Sequence, residues 1–175
     1  MPIRGIALDA EGVMFDFEKD GHHTAHRMVA KDLGVELTAE EALIEIPNLV
    51  GGPSKLIAEQ IYDLVIRRGG SSSLEPNEIH KRSRTYFEQL FQEVALGKRL
   101  IGPRPGLLVA LQEFAKLGLP VVVGSSTWPE EFWIYWEKTG LIKLFPKEKV
   151  VLADEKSGIR HKPEPDIFLR TAELM

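Results

Sequence analysis

Asp9 and Glu11 stand one residue apart, followed by Gly12, at the end of the apolar run Ile3 to Leu8. Carboxylates so placed can divide a displacement reaction, one attacking an electrophile while the other moves protons. With phosphorus as the electrophile, Asp9 forms an aspartyl-phosphate, and Glu11 protonates the leaving oxygen and then deprotonates the attacking water. Two more positions suit this chemistry. Ser125 closes the run that begins Val121-Val122-Val123, where its hydroxyl can bond a phosphoryl oxygen. Lys162, in Lys162-Pro163-Glu164-Pro165, can neutralise charge on nucleophile and phosphate alike. Two carboxylates beside a phosphate repel one another, so a hard cation is expected, and oxygen donors without cysteine point to magnesium.

Residues so distant in sequence meet only if the fold carries them to one place. Ile3 to Leu8 reads as a buried parallel strand, Val121 to Val123 as a second and Val150 to Leu152 as a third. Strands alternating with helices imply a parallel sheet whose ligands gather at the carboxyl ends of its strands. Asp9, Glu11, Ser125 and the loop bearing Lys162 all lie at or beyond such ends.

Between the first two strands the pattern is helical, over Thr24 to Leu33, Ala39 to Ile46, Pro53 to Arg67 and Pro76 to Leu96. Leu56, Ile57, Ile61, Leu64 and Val65 recur at spacings of three and four, as do Phe87, Leu90, Phe91 and Val94. Gly69 to Ser73 reads as a turn between two of these helices, and the charge run Glu36 to Glu45 as a wet face. After Gly102 to Gly106 come a helix from Leu107 stopped by Gly118, an aromatic-rich helix opened by Pro129, and a last helix from Asp166. The expected organisation is an α/β core of residues 1–15 and 102–175 with an all-helical cap over 16–101.

The chain has 175 residues, 43% hydrophobic and 27% charged, which suits a globular class and neither disorder nor a membrane protein. A formal charge of −4 gives no basic footprint for nucleic acid. No run approaches the roughly 18 apolar residues of a membrane span, and there is no cysteine, so a cytoplasmic setting is expected. His22, His23, His26 and His161 supply no complete ligand set. Trp128, Trp133 and Trp136 read as packing or interface residues.

The ordered motifs resemble the haloacid dehalogenase-like hydrolase superfamily. Its first motif, a hydrophobic strand and then Asp-x-Asp-Gly-(Val/Thr), is matched by Asp9-Ala10-Glu11-Gly12-Val13. The second, a strand ending in Ser or Thr, is matched by Val121 to Ser125, and the third by Lys162-Pro163-Glu164-Pro165-Asp166-Ile167-Phe168. The helical insert resembles the cap of the phosphoglycolate phosphatase and β-phosphoglucomutase-like branch.

This resemblance implies a Rossmann-like core and magnesium-dependent hydrolysis of a small phosphorylated metabolite. Asp9, Glu11, Ser125 and Lys162 would be catalytic. Gly12, Ser125, Ser126 and Lys162 would bind phosphate, and Asp9 with the Glu11 carbonyl would hold the metal. The chain departs from the family at Glu11, where Asp is usual. It also lacks a fourth motif of acidic residues following Lys162, since Asp154 and Glu155 precede that lysine. The strand bearing that motif would flank the Asp9 strand, so its absence leaves an open edge. Either the chain is a truncated product, or a second copy or another partner covers that edge. A 2-haloacid dehalogenase, with its Asp nucleophile, and a non-catalytic binding protein are the alternative functions.

Overall fold

The computed structural model describes residues 3–70, 73–154 and 158–175. Part of the expected turn, Ser71-Ser72, and Glu155 lie outside the described residues. In chain order the elements begin with β1 (Ile6–Leu8), α1 (Thr24–Asp32), α2 (Ala39–Glu45), α3 (Ser54–Arg67) and α4 (Pro76–Ala95). There follow α5 (Leu107–Lys116), β2 (Val121–Ser125), α6 (Pro129–Lys138), β3 (Val150–Leu152) and α7 (Asp166–Glu173). Two compact units result, Met1–Phe17 with Val94–Met175, and Glu18–Glu93.

In the first unit β1, β2 and β3 form a parallel sheet in that order, with Leu8 opposite Val123 and Ser125 opposite Leu152. The fold is α/β, as the alternation predicts. One expectation is corrected. The strand expected to be buried is short and only half-covered: Ala7 is exposed while Ile6 and Leu8 are partly buried. The physical reason is its place at the margin of the sheet, paired with β2 and with no other described strand.

The interior strand β2 is buried from Val122 to Ser125. A methyl group on its Gly124 would lie 2.6 Å from Ile167 Cγ2 and 3.1 Å from Thr171 Cγ2, so α7 packs directly on the strand backbone there. Val122, Val151, Ala153 and Ile167 form the core at this contact. A second set, Phe15, Phe17, Phe132, Tyr135 and Trp136, is fully buried or nearly so, and Trp136 Nε1 donates to the Phe145 carbonyl at 3.0 Å.

In the second unit the amphipathic spacings bury one face of each helix. Val29, Ile46, Ile57, Ile61, Leu64 and Ile79 belong to one core. Thr38 caps α2 reciprocally: Glu41 N–H donates to Thr38 Oγ1 at 3.1 Å, and Thr38 N–H donates to Glu41 Oε2 at 2.7 Å. The expected wet face is partly engaged, with Glu45 accepting from Arg67 at 3.0 Å and from Arg68 at 2.8 Å. One feature absent from the periodicity is the π-helical turn Glu18–His23, which runs directly into α1.

Candidate active site

Asp9 follows the last paired residue of β1. Since Leu8 lies opposite Val123, the parallel register carries Asp9 alongside Gly124 and Ser125 at the end of β2. The chain then folds back in a tight turn: Met14 N–H donates to the Ala10 carbonyl at 2.7 Å, and Gly12 N–H donates to Phe15 O at 2.7 Å. Gly12 has φ 80°, a left-handed conformation that disfavours a side chain, which explains glycine after the acidic pair. Its amide is committed to this turn. Its carbonyl accepts from Arg104 Nη1 at 2.8 Å, and the same guanidinium nitrogen lies 3.1 Å from Asp16 Oδ2.

The distant lysine is brought to Asp9. Lys162 Nζ lies 2.7 Å from Asp9 Oδ1, which also accepts from Ala10 N–H at 2.9 Å. Both groups are partly exposed, so the pair is open to a ligand from solvent. On its other side the ammonium sits 5.4 Å from the centre of the Phe168 ring. Ser126 holds the lysine's backbone, its hydroxyl accepting from Lys162 N–H at 3.0 Å. Ser125 is buried, and its hydroxyl accepts from Thr127 N–H at 3.1 Å while lying 3.0 Å from Thr127 Oγ1. Asp9, Ser125, Ser126 and Lys162 are thereby tied to one end of the sheet, and half-buried Glu11 lies in the turn that follows Asp9.

A second clamp fixes the lysine loop. Asp166 at the start of α7 accepts from Arg160 Nε and Nη2, both at 2.8 Å, and from the Arg160 backbone N–H at 3.1 Å. The guanidinium and then the backbone donor hold the Asp166 carboxyl down at about 2. Lys162 lies between these anchors.

The model of haloacid dehalogenase-like hydrolases matches residues 3–175. This chain belongs to that family. Three solved structures share the fold of this family member at low identity. A haloacid dehalogenase-like protein of unknown function from Agrobacterium tumefaciens has TM-score 0.74 and 21% identity, over 98% of this chain and 68% of its own. A family hydrolase from Deinococcus radiodurans, with bound phosphate and sodium, has TM-score 0.70 and 17% identity over 98% and 67%. A predicted phosphoglycolate phosphatase from Haemophilus somnus has TM-score 0.65 and 14% identity over 98% and 71%. No curated protein matches the sequence.

In this family member Arg104, whose hold on Gly12 has no signature in the motif itself, is a site residue the sequence does not announce. His161, one of the histidines that supply no complete ligand set, has its imidazole Nδ1 3.2 Å from the Ser126 carbonyl. In the helical unit, His22, His26 and His80 line a small cavity of about 190 Å³ with Ser83 and Arg84. His26 is buried there, with Nδ1 3.1 Å from Ser83 Oγ. Burial, then electrostatic interaction with His22 and His23, push its imidazole down to about 4.

Proposed function

We propose that this chain is a magnesium-dependent phosphatase that hydrolyses a small phosphomonoester through an aspartyl-phosphate. The observation that carries the reading is the 2.7 Å contact of Lys162 Nζ with Asp9 Oδ1 at the sheet end. A nucleophilic carboxylate held by a fixed ammonium is the arrangement in-line phosphoryl transfer requires, since the lysine orients the attacking group and meets charge on the phosphoryl oxygens. Likeness to a hydrolase with bound phosphate and to a predicted phosphatase supports the same class.

The two donors converge on Asp9 Oδ1, so Oδ2 is assigned to attack. Its lone pair forms the new P–O bond as the ester P–O bond breaks, and the departing alkoxide takes a proton from Glu11. Glu11 then removes a proton from water as that water attacks phosphorus, releasing inorganic phosphate and restoring Asp9. The donor set fits a hard dication, because the Asp9 carboxylate and the Glu11 carbonyl that would hold it offer oxygen and the chain contains no thiol. Magnesium bound there supplies neutralisation of the phosphoryl charge.

Asp9→Asn is expected to abolish turnover of p-nitrophenyl phosphate while leaving the far-UV circular dichroism unchanged. Equal rates in the variant and the parent would refute the assignment.

A further inference from the structure

Trp128 is 52% exposed, although Trp136, within the helix that Trp128 precedes, is fully buried. It stands just before α6, three residues beyond Ser125, with extended backbone at ψ 135°. Its ring rests against His161, with centroids 5.2 Å apart and planes inclined by 56°. His161 is itself held, with Nδ1 3.2 Å from the Ser126 carbonyl. The next residue is Lys162, whose backbone N–H donates to Ser126 Oγ and whose ammonium meets Asp9. The two rings therefore sit on the two loops that deliver Ser125 and Lys162.

A large indole left half in water gains little for the fold, since burying such a ring is what usually repays its presence. Held against a fixed imidazole, it has lost most of its rotamer freedom before any ligand arrives, so stacking on it carries a small ordering cost. We infer that Trp128, braced by His161, determines specificity by stacking on a flat apolar face of the group esterified to the phosphate. The inference rests on the phosphatase reading. The shared chemistry is an aromatic or heteroaromatic ring, or the apolar face of a cyclic sugar.

The full-length chain is compared with Trp128→Ala and Trp128→Phe on phenyl phosphate, glucose 1-phosphate and ethyl phosphate. Trp128→Ala is expected to lower kcat/KM for phenyl phosphate about five- to tenfold, mainly through KM, and to leave ethyl phosphate unchanged, while Trp128→Phe keeps most of the preference. A parallel loss on glucose 1-phosphate assigns the platform to sugars as well, and its absence assigns it to aromatic rings. Equal losses on phenyl and ethyl phosphate, or no loss on either, overturn the inference. Should the parent chain turn over no phosphomonoester, the phosphatase reading fails, and phenylphosphonate and methylphosphonate are titrated against tryptophan fluorescence. A preference for phenylphosphonate that Trp128→Ala abolishes upholds the platform without catalysis; absence of any preference removes it.

Discussion

Glu11 is one methylene longer than the usual family residue, about 1.5 Å of extra reach, in a reaction where ~1 Å of misplacement costs ~100-fold. The turn from Ala10 to Phe15, clamped by Arg104, fixes the backbone from which that longer side chain starts. An acid that assists departure matters most for a poor leaving group. Glu11→Gln should therefore lower kcat/KM for an alkyl phosphate by about 10²- to 10⁴-fold and for p-nitrophenyl phosphate by much less. Equal losses on both substrates would remove the proton-transfer role. Asp9, Ser125 and Lys162 were legible in the sequence because chemistry restricts the residue types at three strand or loop ends. Ser126 was named there as a phosphate ligand, but its hold on Lys162 N–H was not legible, and neither was Arg104, because each acts through a backbone group, Lys162 N–H or Gly12 O, that carries no residue-type signature.

Helices α1 to α4 follow their apolar spacing to within one residue at every end, since each buries a single stripe and the pattern records it. β1 was less legible: an apolar run shows that a segment is suited to burial, while the number of its neighbours is decided elsewhere in the chain. The same holds for Gly124, a plain strand glycine until Ile167 is seen above it. Gly124→Ala forces a methyl to 2.6 Å from Ile167 Cγ2 and should cost about 1–3 kcal/mol in urea unfolding. Because α7 follows the Lys162 loop, this loss should also weaken the grip on Asp9. His26 gives the helical unit its own pH dependence. Its imidazole is held at about 4 against the ordinary 6.5, so between these values the unfolded chain takes up the proton that the folded chain refuses. Stability should be constant on this account above 6.5 and fall by roughly 3 kcal/mol as pH drops to 4. His26→Gln should flatten that slope in thermal melts; an unchanged slope would place the titration elsewhere.

At the scale of the molecule, the chain spans about 70% of the related structures, whose sheets belong to longer chains. Among the described residues β1, which Asp9 follows, has one flank paired. Ile6 N–H donates to the Pro120 carbonyl at 2.8 Å, and the alternation of a parallel ladder turns Ala7 N–H to the opposite side. For a free monomer, Ala7 should exchange its amide hydrogen far faster than Ile6, read by mass spectrometry with light scattering on the same sample. Protection of Ala7 in a dimer would support the proposal that a second copy covers the edge.

The helical unit enters the chain between β1 and β2, so Ile6 and Val121 must find one another across the whole of it. Closing so long an intervening segment is entropically cheaper once its ends have been drawn together by helices folding among themselves. During synthesis β1 emerges before the helical unit, and its partner strand β2 and Lys162 follow only after that unit. Asp9 thus lies on a strand made before the helical unit, and its contact with Lys162 can form only after that unit, β2 and the lysine loop have followed.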